Sequence, residues 1–232
     1  MSVIVTGANR GIGKAIAMRF AAAGNNILIS SRNEAHLKVT ALEIKELYPM
    51  VEVNYMASDL SDKSQASAFT NWCLTFGQPD ILVNNAGEYL PGNCIDEKDG
   101  NLERLIGSNL YSAYYVTRGI VPEMIKVKKG HIFNICSIAA LDAYEGGGSY
   151  SISKYAMHGF SKNLRYELKT SFVKVTTVFP GAVFTDSWKG FDNSEGRIME
   201  ATDIAESVYS CSILSPQAVV EEIILRPQLG DL

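Results

Sequence analysis

The chain has 232 residues, of which 47% are hydrophobic and 20% charged, and its formal net charge at pH 7 is −4. This length and composition are typical of one globular α/β domain with a well-buried sheet. The acidic balance argues against a nucleic-acid partner, because such partners are held mainly by basic residues. No apolar run approaches the roughly 20 residues that cross a bilayer, so no membrane association is expected.

An apolar stretch begins at Ser2, which leaves no room for a signal peptide, and a cytoplasmic location is therefore expected. The four cysteines lie far apart and form no C-x-x-C pair, a pattern that favours reduced, mostly buried thiols. The three histidines are scattered, whereas metal ligands usually come in spaced groups, so no metal site is predicted. The cysteines are Cys73, Cys94, Cys136 and Cys211, and the histidines, interpreted as structural, are His36, His131 and His158.

Short apolar runs alternate with longer amphipathic ones along the whole chain, as expected for strands and helices in turn. Strands are predicted over residues 2–7, 25–31, 51–57, 80–87, 130–137, 173–181 and 218–225. Helices are predicted over residues 11–23, 34–48, 62–76, 101–124, 150–168 and 201–214. Gly24 and Pro49 are expected to end the first two helices, Ser61 to cap the third, and Pro122 to disturb the end of the fourth.

This strand–helix alternation predicts the α/β class, with a parallel sheet covered by helices on both faces. Right-handed crossovers then give a Rossmann-type doubly wound sheet. No internal repeat, low-complexity segment or linker divides the sequence, so a single domain over residues 1–232 is expected.

The sequence TGANRGIG, residues 6–13, lies between the first predicted strand and the first predicted helix. Gly7, Gly11 and Gly13 remove side chains where the backbone must turn and approach a ligand. The following helix aims free N–H groups and its positive dipole end at the same point, which favours a pyrophosphate. The spacing differs from the common G-x-G-x-x-G pattern, and a tight turn without a ligand is the alternative interpretation.

Tyr150 and Lys154 are four residues apart in a predicted helix, so they lie on one face, one turn apart. Reduction of a carbonyl needs a proton on oxygen, and a positioned phenol can supply it. A neighbouring ammonium group favours the ionised phenolate, so Lys154 is expected to make Tyr150 a usable proton donor. A Y-x-x-x-K pair is common, and by itself it also fits two side chains that only extend toward water.

Six motifs, in order along nearly the whole chain, resemble those of the short-chain dehydrogenase/reductase family. TGANRGIG matches the family's T-G-x-x-x-G-x-G signature, and NNAG at residues 84–87 matches its second motif. The sequence PG at residues 180–181, followed by Val183 and Thr185, matches the segment beside the nicotinamide. The residues that match the catalytic set are Asn109, Ser137, Tyr150 and Lys154.

The resemblance implies an oxidoreductase that transfers a hydride between a nicotinamide and a carbonyl or secondary alcohol. It implies that Tyr150 is the general acid/base, that Lys154 also binds the nicotinamide ribose, and that Ser137 holds the substrate oxygen. Asn109 is expected to kink its helix and to hold a water that returns a proton to Lys154. The implied cofactor-binding residues are Gly7, Asn9, Arg10, Gly11, Ile12, Gly13, Ser31, Arg32, Asp59, Leu60, Asn85, Ala86, Gly87, Tyr150, Lys154, Pro180, Gly181, Val183 and Thr185.

The second predicted strand ends with Ser31 and Arg32, where an acidic residue would bind both ribose hydroxyls of NAD. A guanidinium group instead binds phosphate through paired N–H groups. By resemblance, Arg10 and Arg32 therefore flank the 2′-phosphate of NADP(H), and Asp59 contacts the adenine. The alternative is that both arginines are solvated surface residues.

Residues 184–200 follow the PG turn and resemble the family's mobile lid over the substrate. Trp188 and Phe191 in this segment suit a flat or apolar substrate, and Tyr89 and Leu90 are also expected to line the pocket. The segments GHIFNICSIAA and AVVEEIILRPQLGD resemble members of the bacterial sepiapterin reductase type, which implies a pterin carbonyl as substrate. Reductases of 3-oxoacyl-carrier proteins share the same core and remain the alternative.

Members of the family usually form dimers or tetramers through two long helices, here residues 101–124 and 150–168, so a homodimer or homotetramer is implied. The alternative to an enzyme is a protein of the same fold that senses the cofactor without turnover. Such a protein would be expected to lose Tyr150 or Lys154, and this chain has both.

Overall fold

The computed structural model of the chain describes residues 1–188 and 190–231. Lys189, in the expected lid, and Leu232, at the end of the expected domain, lie outside the described residues. The strands are β1 (Ser2–Thr6), β2 (Asn26–Ser31), β3 (Val53–Ala57), β4 (Ile81–Asn84), β5 (Gly130–Ile135), β6 (Val173–Pro180), β7 (Val183–Phe184), β8 (Met199–Glu200) and β9 (Glu222–Leu225). The helices are α1 (Gly11–Ala22), α2 (Glu34–Leu47), α3 (Lys63–Leu74), α4 (Asn101–Ile106), α5 (Ser112–Val127), α6 (Gly148–Leu168) and α7 (Ala201–Ser212).

Seven of these strands form one parallel sheet in the order β3-β2-β1-β4-β5-β6-β9, and β7 pairs with β8 separately. The strand order changes direction between β1 and β4, where the chain returns to the middle of the sheet. Ligands of doubly wound sheets bind beyond the carboxyl ends of the strands at such a point. The predicted α/β doubly wound architecture is therefore confirmed.

Alternating side chains of the central strands enter two separate cores on opposite faces of the sheet. Val3 and Val5 of β1 pack with α1, α2 and α7, whereas Ile4 packs with Leu82 and the residues of α3 and α5. Because both faces are covered, these strands read as continuous apolar runs rather than as alternating ones. None of the described helices combines the length and hydropathy that a bilayer-spanning segment needs.

The predicted continuous helix over 101–124 is wrong in its middle and at its end. One turn of π-helix, Gly107–Tyr111, separates α4 from α5. Pro122 does not end the helix, since α5 continues to Val127 with the proline exposed to solvent. Burial of Val116 and its apolar neighbours on the other face compensates for the hydrogen bond that proline cannot donate.

The predicted N-cap of α3 is also wrong by one residue. Asp62 caps the helix, because its Oδ1 accepts the backbone N–H of Gln65 at 2.9 Å. Ser61 instead donates its hydroxyl to Asp59 Oδ1 at 2.7 Å. Two acceptable capping residues stand side by side here, and the hydrogen bond to Asp59 selects between them.

Candidate active site

A cavity of about 530 Å³ lies at the carboxyl ends of β1, β2, β4 and β5. Its volume is in the range of small-molecule sites. Most of the residues predicted to bind a cofactor line this cavity. They are Gly7, Asn9, Arg10, Gly11, Ile12, Ser31, Arg32, Asp59, Leu60, Asn85, Ala86, Gly87, Tyr150, Lys154 and Thr185.

The other predicted residues are not part of the cavity lining. Pro180 and Gly181 end β6, where the Gly181 N–H donates to Leu225 O at 2.7 Å. Val183 is buried in β7. Asn109, Ser137 and Gly13 support the lining from behind, in ways described below.

The glycine turn adopts the conformation that its sequence requires. Gly7 and Gly11 have φ angles of +65° and +53°, in the left-handed region that favours glycine. A Cβ atom on Gly13 would lie 2.4 Å from Asn85 Nδ2, so this position is closed to side chains by packing. At its glycine positions the turn therefore presents backbone to the cavity, directly before and at the N-terminus of α1.

Asn85 and Thr6 fix the glycine turn to the end of β4. Asn85 Nδ2 donates to the carbonyl oxygens of Thr6 and Gly7, each at 3.1 Å. In return, Thr6 Oγ1 accepts the backbone N–H groups of Asn85 and Ala86 at 3.0 and 2.9 Å. The two loops that enclose the middle of the cavity are thus held as one unit before any ligand binds.

Tyr150 and Lys154 lie in the first two turns of α6 and both line the cavity. Lys154 is only 7% exposed, and its Nζ donates to the carbonyl oxygen of Ile135 at 3.1 Å. The same Nζ lies 5.7 Å from the centre of the Tyr150 ring. The end of β5 therefore holds the ammonium group beside the phenol, as the four-residue spacing predicts.

Asn109 lies in the π-helical turn, and its side chain points into the protein, where it is 1% exposed. Its Oδ1 accepts the backbone N–H of Glu88 at 2.7 Å, and its Nδ2 donates to Glu88 O at 3.0 Å and to Ser153 Oγ at 2.8 Å. Asn109 therefore fixes the residue that follows Gly87 and connects it to α6. The π-turn widens the helix at Asn109, and turns of this kind are frequent at functional sites.

Ser137 follows β5 at the point where the chain turns toward α6. Its Oγ accepts the backbone N–H of Ala139 at 3.1 Å and so caps a short 3₁₀ turn, Ile138–Ala140. Ser151 Oγ donates to Ala139 O at 2.6 Å, which attaches this turn to the start of α6. Ser137 directly follows Ile135 and Cys136, two residues that line the cavity.

The two arginines predicted to bind a phosphate each face a carboxylate of the same chain. Arg10 Nη1 lies 2.5 Å from Asp186 Oδ2, and both side chains are exposed. Arg32 Nη2 lies 3.7 Å from Glu88 Oε1, which also accepts Arg104 Nη2 at 2.5 Å. The hydrogen bond from Arg104 holds the pKa of the Glu88 carboxyl below its usual value, and the charge of Arg32 adds to this effect.

The remaining polar lining lies between β2 and β3. Asp59 Oδ1 accepts the N–H and the hydroxyl of Ser61, and Ser31 Oγ donates to Asn33 O at 3.3 Å. Ser58 also lines the cavity, and among the described residues its buried hydroxyl has no hydrogen-bond partner. A buried hydroxyl without a partner is costly unless a ligand or water bonds to it.

Tyr89 and Tyr150 line the other end of the cavity, and Tyr144, which sequence reasoning missed, lies next to them outside the lining. The rings of Tyr89 and Tyr150 pack edge to face, with centres 4.9 Å apart. Burial raises the pKa of Tyr144, and the neighbouring phenols of Tyr89 and Tyr150 raise it further. Leu90, expected beside Tyr89, is not part of the lining.

Glu88, Asp186 and His36 also line the cavity and were missed as site residues by sequence reasoning. Glu88 directly follows the NNAG motif and Asp186 directly follows Thr185, so their positions next to motif residues were the available signal. His36 was interpreted as structural, but it is exposed at the edge of the cavity.

The expected lid is anchored at both of its ends. The β7–β8 pair joins residues 183–184 to residues 199–200, and Arg10 contacts Asp186 within the segment. The rings of Trp188 and Phe191 pack edge to face, with centres 5.2 Å apart. Nothing in this geometry tests a closing motion, so the lid stays a prediction.

Two of the four cysteines, Cys73 and Cys136, are buried as expected, whereas Cys94 is exposed and Cys211 is partly buried. The four cysteines are free thiols, and burial raises the pKa of Cys73 and Cys136, which keeps both protonated. Within residues 1–188 and 190–231, no group of three or more potential ligands could hold a metal ion.

Comparison with known proteins gives consistent matches over the whole chain. A family model for short chain dehydrogenases matches residues 1–196. A sepiapterin reductase from Chlorobaculum tepidum is 33% identical over 239 residues, covering 99% of this chain and 97% of that protein. A metagenomic short-chain oxidoreductase in complex with NADP has a TM-score of 0.86 at 32% identity, with 99% of this chain and 98% of that chain covered. An actinorhodin polyketide ketoreductase variant with NADPH has a TM-score of 0.89 at 25% identity, with 100% and 97% covered.

The family model spans the glycine turn, the NNAG motif and the Tyr150–Lys154 pair, which contribute to the cavity lining, and it also spans the PG turn. The relatives and the solved structures extend this agreement to the last strand of the sheet. The chain therefore belongs to the short-chain dehydrogenase/reductase family of oxidoreductases.

Proposed function

We propose that the chain is an NADP(H)-dependent reductase of carbonyl compounds, with Tyr150 as its general acid. The observation that carries this proposal is the position of Lys154. Its buried ammonium group is held by Ile135 O and lies beside the Tyr150 ring, in the same cavity as the glycine turn. Burying a lysine ammonium group this deeply costs free energy, so we expect its charge to have a function.

The residues around Tyr150 have separate roles in the proposed proton transfer. The ammonium group of Lys154 favours the phenolate that Tyr150 becomes after it gives its proton to a carbonyl oxygen. Ser137 uses its oxygen to accept the Ala139 N–H, so its own proton can be donated to the same substrate oxygen. Asn109 fixes the main chain around Glu88 and connects it to Ser153, one residue before Lys154.

The glycine turn fits the pyrophosphate of a dinucleotide. Its positive φ angles and the packed position of Gly13 let a ligand approach the backbone at the N-terminus of α1, where an anion is favoured. The hydroxyl of Ser58, without a partner among the described residues, fits a polar edge of the adenosine. When bound, the dinucleotide supplies the hydride.

The choice of NADP(H) over NAD(H) rests on Arg10 and Arg32. Both guanidinium groups are more than half exposed at the same end of the cavity, and no acidic residue ends β2. Such groups suit the paired oxygens of a 2′-phosphate. The two solved structures described above, with NADP and with NADPH, support this choice.

A pterin side-chain carbonyl is the substrate that we propose. Tyr89 and Tyr150 form an aromatic wall of the cavity on which a flat ring can stack, and the adjacent Tyr144, whose pKa is raised, stays protonated as a donor. The relative with 33% identity is a sepiapterin reductase. A 3-oxoacyl thioester is the alternative, supported by the similarity to a polyketide ketoreductase.

The test is an NADPH oxidation assay with sepiapterin, a 3-oxoacyl thioester and simple ketones. Turnover that is fastest with sepiapterin supports the pterin proposal, and turnover that is fastest with the thioester supports the alternative. Tight NADPH binding without turnover of any carbonyl would refute the enzyme assignment in favour of a cofactor sensor.

The cofactor assignment has its own test in Arg32→Ala. Loss of a guanidinium that binds the 2′-phosphate should weaken NADPH by about tenfold or more, because hydrogen bonds between charged groups are strong. NADH should change by less than about twofold, since it carries no phosphate there. Equal losses for both cofactors, measured by fluorescence titration, would contradict the role of Arg32.

We also propose that the chain forms a homodimer or homotetramer through α5 and α6 and acts in the cytoplasm. Tyr111, Tyr114 and Tyr155, on and next to these helices, are exposed aromatic residues of the kind that interfaces cover. Light scattering coupled to size exclusion tests the oligomeric state, and a monomer would refute this part of the proposal.

A further inference from the structure

A carboxylate, Glu88, stands in the wall of a cavity that the proposed function assigns to a polyanionic cofactor. It directly follows Gly87, lines the cavity and has a side chain that is only 15% exposed. An unpaired negative charge in this place would repel every phosphate group of a dinucleotide. The structure must therefore neutralise it.

The position of Glu88 is fixed by its own backbone. Asn109 accepts its N–H at 2.7 Å and donates to its carbonyl oxygen at 3.0 Å. Since Asn109 is buried in the π-turn, the loop cannot move away from the cavity without breaking both bonds. The charge of Glu88 thus stays at the cavity wall.

Two arginines compete for this carboxylate. Arg104 of α4 binds it with a fork, Nε to Oε2 at 2.8 Å and Nη2 to Oε1 at 2.5 Å. Arg32 also faces the carboxylate, but its Nη2 remains 3.7 Å from Oε1, beyond ordinary hydrogen-bond length. Arg104 is not part of the cavity lining, whereas Arg32 is.

We propose that Arg104 is a positioning residue for cofactor selection, which neutralises Glu88 and so leaves Arg32 to the 2′-phosphate. This inference rests on the proposed function, specifically on the role of Arg32. Without Arg104, the carboxylate of Glu88 would become the partner of Arg32. The same carboxylate would then also repel the 2′-phosphate, which NADPH carries and NADH lacks.

The experiment measures the dissociation constants of NADPH and NADH by fluorescence titration, without substrate. The variants are Arg104→Gln, Arg104→Lys, Glu88→Gln and the double variant of Glu88→Gln with Arg104→Gln, each checked for folding by thermal melting. Arg104→Gln should weaken NADPH about tenfold and NADH less than about twofold, and the NADPH loss should shrink at high salt. Arg104→Lys keeps the charge and should recover most of the NADPH affinity.

The double variant tests whether Arg104 acts through Glu88. With Glu88→Gln present, Arg104→Gln should no longer weaken NADPH selectively, because no carboxylate is left to neutralise. Glu88→Gln alone should bind NADPH at least as tightly as the wild type, which keeps the proposal testable even if Arg104→Gln fails to fold. Arg165→Gln is the matched control, since Arg165 binds Glu221 at 2.8 Å outside this cavity.

Three outcomes would overturn the proposal. They are an equal loss of NADPH and NADH in Arg104→Gln, a selective loss that persists in the double variant, and a selective loss of NADPH in Glu88→Gln. Wild-type protein that prefers NADH, or Arg32→Ala that does not discriminate, would instead refute the cofactor assignment together with this inference. A selective Arg32→Ala with a non-selective Arg104→Gln refutes this inference alone.

Discussion

At the Tyr150 end of the cavity, the functional groups are held by hydrogen bonds of buried residues, whereas at the Arg32 end they are held by pairs of exposed charges. Lys154 and Asn109 are both nearly inaccessible to water, and each has partners from other elements. Arg10 and Arg32 are more than half exposed, and each faces a carboxylate of the chain itself. One end is therefore arranged before ligand binding, while the other must exchange its partners.

This difference fits the functions that we propose for the two ends. Proton transfer needs fixed distances, so the groups involved are fixed by the sheet and by α6. Selection of a phosphate needs cationic side chains that can bind it. Exposed ion pairs are weak, so their cationic members can leave a carboxylate and bind a phosphate instead. The predictions below test whether the two ends differ in this way.

The largest effect is expected for Tyr150→Phe, which removes the proton donor from the fixed end. Turnover should fall by about 10²–10⁴-fold, the usual contribution of general acid catalysis, while NADPH affinity stays within about threefold. Steady-state kinetics and cofactor titration measure the two quantities. Tyr155→Phe, on the exposed side of the same helix, is the matched control, and a similar fall in both variants would contradict the assignment.

Asn109→Ala should cost stability as well as activity, because it leaves Glu88 and Ser153 without their buried partner. We expect the free energy of unfolding to fall by about 3 kcal/mol, as for the loss of buried hydrogen bonds. Arg32→Ala at the other end should change it by less than about 0.5 kcal/mol. Urea denaturation measures the free energy of unfolding of both variants, and Asn163→Ala, on the exposed side of α6, is the control. Equal losses of stability in Asn109→Ala and Arg32→Ala would contradict the distinction between the two ends.

A pH effect is expected from His131, at the start of the strand that leads to Ser137. Burial lowers its pKa from 6.5 to about 3, and the charge of Lys174 adds to this. The unfolded chain therefore takes up the proton first, so stability is complete above about pH 6.5 and falls as the pH drops toward 3. The slope from this group is about 1.4 kcal/mol per pH unit.

Urea denaturation at several pH values measures that slope. His131→Gln should lose it, whereas His36→Gln, at an exposed histidine, should keep it. A slope that survives in His131→Gln would mean that another group is responsible.

The smallest effect is expected for Asp186→Asn, which removes the exposed partner of Arg10. Since an exposed ion pair contributes little, NADPH should bind only about two- to threefold more tightly, with NADH unchanged. Cofactor titration measures this against Asp99→Asn, at an exposed aspartate in the loop before α4. Weaker binding in Asp186→Asn would indicate that this carboxylate holds Arg10 in place rather than competing for it.

The architecture was predictable because every strand of the main sheet has a local signal, whereas the two-residue strands β7 and β8 were not predicted. Alternating apolar segments predicted the parallel sheet, and the order of motifs predicted which loops meet at its carboxyl edge. The π-turn was not predictable in the same way, since Asn109 has no local pattern that separates one extra residue from a continuous helix. Pro122 led to a wrong prediction of the helix end. A proline weakens a helix locally, whereas the burial of apolar side chains that compensates for it depends on the tertiary structure.

Within the site, residues inside motifs were predictable, and their charged partners were not. Arg32 and Glu88 are 56 positions apart, and the pattern around each gives no sign of the other. Tyr144 lies in an irregular segment between Ser137 and Tyr150, where no periodicity indicates which side chain contacts Tyr89 and Tyr150. Pairings of this kind depend on the three-dimensional arrangement of loops.

The π-turn at Gly107–Tyr111 also constrains the length of the chain at this point. Each residue of a regular helix advances the direction of its side chains by about 100°. Deleting one residue between 107 and 111 would convert the wide turn into an ordinary one and remove the geometry in which Asn109 binds Glu88 and Ser153. Inserting a further residue into α5 would rotate the rest of its apolar stripe by that angle. The segment should therefore tolerate many replacements of its exposed side chains and almost no change in the number of its residues.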